Sequence, residues 1–182
     1  MGNRRALCVG INKFKNLPTA TLRGCVNDAN DMALLLKEKL GFAEADIALL
    51  TDAKATKAAV MAGLRFMVDE AKAGRANYLV FSFSSHGTQI PDQNGDETDK
   101  WDEAFCPYDT AAKGGQWDPN TIIVDDELHD LFLELPPTTL LEAYLDTCHS
   151  GTGLKDLDPN MLLSPFQPKP RWLPPPSYQA FE

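Results

Sequence analysis

The stretch Ala6-Leu7-Cys8-Val9-Gly10-Ile11 is an uninterrupted run of uncharged, mostly apolar residues close to the start of the chain. A strand that is buried on both faces of a parallel sheet has such an unbroken pattern, whereas a strand with one solvent-exposed face alternates between apolar and polar residues. We therefore predict a buried strand over Ala6–Ile11, in a sheet that is covered on both sides.

The rest of the chain alternates between predicted helices and strands. The predicted helices are Ala29–Leu40, with Asn27 or Asp28 as its cap, a helix between Thr56 and Gly74, and a short helix over Leu128–Leu135. The further predicted strands are Ile47–Leu50, Tyr78–Phe83 and Leu140–Leu145. Because such alternation implies right-handed crossovers, we expect an α/β fold with a mostly parallel central sheet and helices on both faces.

The composition indicates a single globular domain that does not bind nucleic acid. The chain has 182 residues, 43% hydrophobic and 24% charged, values that exclude a disordered or fibrous protein. Its 17 Lys and Arg against 26 Asp and Glu give a net charge of −9. This charge repels nucleic acid and anionic membranes but favours cationic peptides or metal ions.

Two features of the sequence bear on domain organisation and location. Seven of the 13 prolines lie between Pro159 and Pro176, so we expect a catalytic domain over residues 1–153 and a proline-rich linker or arm over 154–182. The four cysteines form no C-x-x-C pair, no secretory leader precedes them, and no apolar run reaches the ~18 residues of a membrane span. We therefore expect a cytoplasmic protein with reduced thiols.

Reactive side chains follow two of the predicted strands, in the loops Ser84–Gln89 and Asp146–Gly151. The carboxyl ends of neighbouring parallel strands lie at one edge of a sheet, where ligands bind. His86 can therefore accept the thiol proton of Cys148, which makes the two a candidate base and nucleophile. Singly, a cysteine is more often a small buried side chain and a loop histidine is more often bonded to backbone.

Two other arrangements of these residues remain open. His149 competes with His86 for the role of base. A zinc site formed by His86, Cys148, His149 and Cys106 is conceivable, although the sequence lacks the ligand spacing typical of such sites.

Three motifs together resemble the metacaspase and orthocaspase branch of the caspase-like cysteine peptidases. They are Ser84-Ser85-His86-Gly87, the segment Asp146–Gly151 and the segment Leu22–Ala29. The resemblance covers about residues 4–157, which corresponds to the large-subunit portion of that family. It implies a caspase-like three-layer sandwich and hydrolysis of peptide bonds by Cys148 and His86, with the backbone N–H groups of Gly87 and Cys148 holding the oxyanion.

The same resemblance implies protein or peptide substrates with Arg or Lys before the cleaved bond. The residues that match the family's specificity pocket are Cys25, Asp28, Ser84 and Asp146. Two ionised aspartates would strongly disfavour an apolar or anionic substrate side chain. The alternative roles are that Asp28 caps the first helix and that Asp146 binds backbone.

The segment from Asp92 to Asp130 contains twelve carboxylates but only two lysines. The resemblance implies an activating calcium site here, with ligands matching Asp99, Asp102, Asp125, Asp126 and Asp156. The alternative is a solvated acidic face in which Asp125 caps the short helix. The family also cleaves itself at exposed basic residues, and Lys113 between flexible neighbours is the predicted site, with Lys155, Lys169 and Arg171 as others.

The resemblance further implies a small-subunit portion that adds strands to the sheet and completes the pocket. We expect that portion either on a separate polypeptide or removed from this chain. An inactive caspase-fold scaffold for protein interaction is the alternative function, and such a scaffold would not hydrolyse peptides that contain arginine.

Overall fold

The computed structural model describes residues 3–91, 101–147 and 171–176. In chain order the helices and strands are β1 (Arg4–Gly10), α1 (Cys25–Glu38), β2 (Ile47–Thr51), α2 (Lys57–Lys72), β3 (Tyr78–Ser84), β4 (Gly87–Pro91), β5 (Trp101–Phe105), β6 (Ala112–Lys113), β7 (Gln116–Trp117), β8 (Ile123–Val124), α3 (Asp125–Leu133) and β9 (Leu140–Asp146). Three short 3-10 helices are Pro18–Ala20, Glu44–Asp46 and Asp52–Lys54.

The central sheet contains four parallel strands in the order β2-β1-β3-β9. Side chains of β1 alternate between two buried clusters, because successive residues of a strand point to opposite faces. Leu7 and Val9 lie in the larger cluster with α2 and α3, whereas Ala6 and Cys8 lie in the smaller one with α1. The predicted α/β fold, with a strand buried on both faces, is confirmed.

The first helix begins earlier than predicted. Its N-cap is Gly24, at a φ of 102°, so the predicted cap at Asn27 or Asp28 is wrong. Glycine adopts this backbone conformation without steric cost, and Asp28 then lies in the first turn with its carboxylate available for tertiary contacts. Close approach to β1 is possible because Gly10 lacks a side chain: a Cβ there would lie 2.1 Å from the carbonyl oxygen of Cys25.

The caps of the other two helices differ in how well the sequence predicted them. Thr56 caps α2 as predicted, since its hydroxyl accepts a hydrogen bond from the backbone N–H of Ala59 at 3.2 Å. The cap position of α3 is Val124, whose N–H donates to the Glu127 carboxylate at 3.0 Å. Asp125 is therefore the first residue of α3, and the expectation that it caps the helix is wrong.

A second, antiparallel sheet in the order β4-β5-β8 was not predicted. Its strand β4 begins at Gly87, directly after His86, so the predicted loop over Ser84–Gln89 is reduced to two residues between strands. The backbone N–H of Cys106 donates to the His86 carbonyl at 3.0 Å and ties this short connection to the end of β5. His86 therefore lies at the junction of the two sheets.

Glu70 on α2 anchors the amino-terminal end of the central sheet. Its carboxylate accepts hydrogen bonds from Arg5 and Arg75, each at 2.7 Å, although the residue is only 6% exposed. The hydrogen bond from Arg75 is the main cause that lowers the pKa of Glu70. Burial of this charge is tolerated because two guanidinium groups compensate it.

Residues 171–176 pack against the second sheet. Trp172 forms an isolated parallel bridge with Gly87, and Leu173 is buried in the larger core cluster. Among the helices of the described ranges, none combines the length and the apolar character needed to span a membrane.

Candidate active site

The predicted pocket residues meet at the carboxyl ends of β3 and β9. Ser84 and Asp146 are directly paired across these strands, and Asp28 reaches the same point from the first turn of α1. The hydroxyl of Ser84 donates a hydrogen bond to Asp28 Oδ2 at 2.8 Å. The structure therefore brings together two carboxylates and one hydroxyl that the sequence separates widely, and Asp28 makes this contact instead of a cap.

The chain's own Arg171 occupies this pocket. Its Nη2 lies 2.9 Å from Asp28 Oδ2, and its Nη1 donates to Ser84 Oγ at 2.7 Å. Nη1 also donates to the Asp146 backbone carbonyl at 3.1 Å and forms a close ion pair with the Asp146 carboxylate. Only 20% of the Arg171 side chain is exposed.

The surroundings of Arg171 stabilise its charged form. Burial lowers the pKa of Arg171, but the hydrogen bond with Asp28 and the nearby acidic groups outweigh burial and leave the pKa raised. The pocket is therefore electrostatically matched to a guanidinium group.

Cys25 forms a buried side of the same pocket. Burial raises the pKa of its thiol, and the hydrogen bond with Ser84 and the charge of Arg171 only partly oppose this effect. The Cys25 side chain is thus a neutral thiol, and it contributes shape to the pocket without adding a third negative charge.

His86 is held in one orientation by neighbours that the sequence did not indicate. Its Nε2 lies 2.8 Å from the carbonyl oxygen of Ala20, and its ring lies 5.2 Å from the ring of Phe14, centroid to centroid. A carbonyl oxygen only accepts hydrogen bonds, so Nε2 must carry a proton. In the neutral imidazole Nδ1 is then the basic nitrogen.

The backbone N–H and carbonyl of Gly87 both form hydrogen bonds with the segment 171–176. Its N–H donates to the Arg171 carbonyl at 2.7 Å, and its own carbonyl accepts from the Leu173 N–H at 2.8 Å. Gly87 is the residue predicted to supply an oxyanion donor, and its amide hydrogen points to the carbonyl of the residue whose side chain fills the pocket.

Three predicted site residues lie outside the described ranges: Cys148, Asp99 and Asp156. The same holds for His149, so the competition between His149 and His86 stays open. Cys106 is fully buried, and burial raises the pKa of its thiol.

Asp102, Asp125 and Asp126 lie on β5 and at the start of α3, two elements that contact each other. Ala104 pairs with Val124, so the acidic residues that flank this pair occupy the same end of the two strands. Burial, and then the charges of Asp126 and Glu103, raise the pKa of Asp125. Within the described ranges, no group of three or more such side chains is close enough to hold a metal ion.

Lys113 is exposed at the turn between β6 and β7. The glycines that follow it have φ values of 63° and 80°, as a tight hairpin requires. Lys113 and Arg171 thus differ sharply: the former faces solvent and the latter fills the pocket.

Comparison with known proteins assigns the class. The family model described as metacaspase, peptidase C14 domain, matches residues 4–157. A crystal structure of a protein from Geobacter sulfurreducens is similar with a TM-score of 0.64 and 29% identity, over 84% of this chain and 52% of that one. The fold is thus that of the caspase-like peptidases, as expected from the motifs.

The chain belongs to the metacaspase family. It is 39% identical over 160 residues to Metacaspase-1A of Aspergillus terreus, and 38% identical over 160 residues to Metacaspase-1 of Emericella nidulans. Each match covers 84% of this chain and 37% of the relative, so the chain spans little more than a third of the length of these relatives.

Proposed function

We propose that this domain hydrolyses peptide bonds after arginine or lysine, with Cys148 as nucleophile and His86 as general base. The observation that carries the proposal is the guanidinium group of Arg171, held by Asp28, Ser84 and Asp146. An arginine held in this way supports a pocket that accepts a substrate side chain of the same kind. Membership of the metacaspase family supports a cysteine peptidase.

In the proposed reaction, His86 Nδ1 takes the proton of the Cys148 thiol and the thiolate attacks the substrate carbonyl carbon. The Gly87 N–H stabilises the oxyanion, together with the Cys148 N–H. His86 then protonates the leaving amine, and water hydrolyses the thioester. The hydrogen bond of Nε2 to the Ala20 carbonyl supports this role, because it leaves Nδ1 as the basic nitrogen.

The strand register also supports the pairing of base and nucleophile. Ser84 and Asp146 are partners across β3 and β9, and His86 and Cys148 each follow two residues later in the sequence. Specificity and catalysis would then use residues two positions apart in the sequence, at and after the last residues of the same two strands.

The preference for arginine or lysine follows from charge. A cationic side chain in the pocket compensates two carboxylates, whereas an aspartate would add a third negative charge and an apolar side chain would leave both carboxylates unpaired. Arginine can bind several acceptors at once through its planar group, as Arg171 does, so we expect arginine to be preferred over lysine.

Calcium activation is a further part of this proposal. Carboxylate oxygens are the ligands that calcium prefers, and Asp102, Asp125 and Asp126 supply them at one end of β5 and α3. Asp99 and Asp156 complete the predicted set but lie outside the described ranges. A bound cation would reduce the repulsion among these carboxylates.

We also propose that a small-subunit portion pairs with the outer edge of β9. Within the described ranges β9 is the last strand of its sheet, and Leu140, Tyr144 and Leu145 are 44–54% exposed. Large apolar side chains on an edge strand are suited to another strand that covers them.

Paired fluorogenic peptides that end in Arg or Asp test the function, with and without calcium, on the wild type and on Cys148→Ala. We expect cleavage of the Arg peptide only, stimulation by calcium, and no activity in Cys148→Ala. Cys8→Ala is the matched control, because Cys8 is buried in the sheet and its pKa is raised to about 12 by burial. Preference for Asp, or activity that survives in Cys148→Ala, would refute the proposal, and a folded protein inactive in every arm would favour the scaffold.

A further inference from the structure

A separate cavity of about 490 Å³ lies at the carboxyl edge of the central sheet, beside the ends of β1 and β2. Segments that follow β1, β2 and β5 line it, and the residues that matter here are Lys13, Phe14, Lys15, Asp52 and Tyr108. None of the residues 171–176 belongs to its lining, so this cavity is distinct from the pocket that holds Arg171.

The strand order places the two sites on opposite sides of the end of β3, the strand that leads to His86. Along the edge the order is β2-β1-β3-β9, and the Arg171 pocket lies at the ends of β3 and β9. Neighbouring strands are ~4.8 Å apart, so the two sites are separated by roughly 10 Å, the length of about three extended residues. One bound peptide can therefore reach both sites.

The wall of the cavity also contacts His86 directly. The Phe14 ring lies 5.2 Å from the His86 ring, centroid to centroid. Thr21, another residue of the lining, directly follows Ala20, whose carbonyl oxygen lies 2.8 Å from His86 Nε2. A side chain bound in this cavity is thus next to the proposed general base.

Backbone hydrogen bonds fix the walls of the cavity. The Lys15 N–H donates to the Tyr108 carbonyl at 2.8 Å, and the Tyr108 N–H donates to the Ala55 carbonyl at 2.9 Å. The Leu22 N–H donates to the Asn12 carbonyl at 2.8 Å and closes the segment between them. Because these bonds join the segments after β1, β2 and β5, the cavity is preformed, and binding requires little ordering of the protein.

The cavity carries positive charge in a chain whose net charge is −9. Lys13 and Lys15 line it, Lys54 is adjacent in the sequence to its lining residue Ala53, and all three lysines are exposed. Within the described ranges none of these three forms an ion pair, whereas three other lysines pair with glutamates at 2.6–2.8 Å. These ammonium groups are therefore available to an external anion.

Asp52 is the one acidic residue among the described residues of the lining, and its carboxylate is bound by backbone. Its Oδ1 accepts the N–H groups of Asn12 and Lys13 at 2.8 and 3.0 Å. The residue has a φ of 44°, which is uncommon for a residue other than glycine, and these two bonds hold it there. With this carboxylate engaged, the lysines determine which charge the cavity attracts.

We propose that this cavity is an exosite, a binding site outside the specificity pocket, that takes an acidic side chain of the polypeptide substrate. This proposal rests on the proposed function. Lys13 and Lys15 bind the carboxylate, and Phe14 and Tyr108 offer apolar surface to the methylene groups of a glutamate. The sheet edge then selects substrates with a basic and an acidic residue a few positions apart, because a second basic residue would be repelled by the lysines.

NMR of the 15N-labelled wild-type chain tests binding without catalysis. N-acetyl-Glu-Gly-Glu amide should shift the amide signals of Lys13, Phe14 and Lys15, whereas its Gln analogue should not. The double variant Lys13→Gln with Lys15→Gln should lose the response. The matched control is Lys39→Gln with Lys113→Gln, which removes two other exposed lysines and should keep the response. The exosite is refuted by an absent response, by equal responses to both peptides, or by a response that persists in the Lys13 and Lys15 double variant.

Hydrolysis tests the effect on selectivity. Arg peptides with Glu or Gln two to four residues from the arginine, on either side, are compared by kcat/KM in the Arg171→Gln background. A partly exposed ion pair should give Glu a roughly two- to fivefold advantage at the best spacing. Lys15→Glu should reverse this preference in favour of a peptide with Lys at the same position. Equal rates at every spacing, or an advantage of Glu that Lys15→Glu leaves unchanged, would contradict the proposal.

The two proposals fail in different ways. If the proposed function is wrong, no Arg peptide is hydrolysed, yet the NMR titration still decides whether the cavity binds acidic peptides. If only the exosite is wrong, Arg peptides are hydrolysed at equal rates with Glu and with Gln.

Discussion

Replacing Asp28 by asparagine removes one of the two charges that define the pocket and preserves its shape. Asp28 Oδ2 lies 2.9 Å from the Arg171 guanidinium and 2.8 Å from Ser84 Oγ, so a substrate arginine in the place of Arg171 would make the same contacts. Asparagine can still accept a hydrogen bond at this position, but it cannot form an ion pair.

The size of the effect follows from the difference between a hydrogen bond to a charged acceptor, as in Asp28, and one to a neutral acceptor, as in asparagine. A hydrogen bond to a charged group contributes ~1.5–3 kcal/mol, and a neutral one ~0.5–1.5 kcal/mol. These ranges differ by about 1–1.5 kcal/mol. The Asp28 side chain is 43% exposed, so solvent screening favours the lower value, about 1 kcal/mol. At about 1.4 kcal/mol for each factor of ten, kcat/KM for an Arg peptide should fall roughly fivefold.

The assay compares an Arg peptide with its citrulline analogue, which is nearly isosteric but uncharged. Both are measured in an Arg171→Gln background, where the pocket is open. Asp28→Asn should narrow the ratio of kcat/KM between the two peptides. Asp31→Asn is the matched control, because Asp31 is an exposed residue of the same helix. An unchanged ratio in Asp28→Asn, or an equal loss in Asp31→Asn, would refute the role of Asp28.

Two further predictions concern the scaffold. Gly10→Ala should lower the free energy of unfolding by ~3 kcal/mol in urea denaturation, because its Cβ would lie 2.1 Å from a backbone oxygen of Cys25. Gly63→Ala, whose Cβ would meet only the terminal methyl groups of Leu7, the nearer at 3.1 Å, should change the free energy of unfolding by less than ~1 kcal/mol, and an equal loss in both variants would contradict the argument. For Glu70, the lowered folded-state pKa means that its stabilising effect is complete above the ordinary value of 4.5 and is lost as pH falls through the folded-state value. The Tm of the wild type should therefore decrease more steeply than that of Glu70→Gln on acidification below pH ~5, and parallel curves would show that the two arginines do not act through this charge.

Local patterns were sufficient to predict the central sheet and the second helix. The run Ala6–Ile11 contains most of β1, because burial on both faces leaves a continuous apolar stretch that is visible without knowledge of the neighbours. The cap Thr56 could be predicted because the N–H that its hydroxyl binds belongs to Ala59, only three residues away in the sequence. Both features depend on interactions that are close in sequence or on simple burial.

The antiparallel sheet and the start of α1 depend on contacts that a local pattern does not contain. Strand β8 has two residues, and its pairing with β5 crosses a hairpin. The start of α1 is set by Gly24 with its positive φ, and neither the spacing of apolar residues nor the preference for polar caps indicates that position. Asp28 lies in the first turn of α1, and its carboxylate bonds to Ser84 and Arg171 instead of capping the helix.

In the candidate site, too, some residues could be predicted from the sequence, whereas one contact is visible only in the fold. The resemblance in sequence supplied Asp28, Ser84 and Asp146, and these side chains converge on one guanidinium group. The hydrogen bond that fixes the His86 tautomer joins it to a backbone carbonyl 66 residues away, at an alanine that has no sequence signal. A main-chain acceptor can be provided by any residue, so its place is visible only in the fold.

The prolines that follow Arg171 pack against the folded domain. A proline-rich stretch was predicted as a linker because it has no helical or alternating pattern, yet Pro175 and Pro176 line a cavity together with Ile90 of β4 and Trp117 of β7. Proline has a fixed φ and no N–H, so a stretch of three loses little conformational entropy on binding and leaves no donor unpaired beyond Leu173. Rigidity of this kind lowers the entropic cost of holding Arg171 in the pocket. Replacement of Pro174, Pro175 and Pro176 by serine should therefore weaken the hold on Arg171 without altering any contact of the guanidinium group. Calorimetric titration of N-acetyl-arginine amide into the Cys148→Ala protein, with and without these replacements, measures this as tighter binding of the amide. An unchanged affinity would show that the ion pairs alone hold the segment.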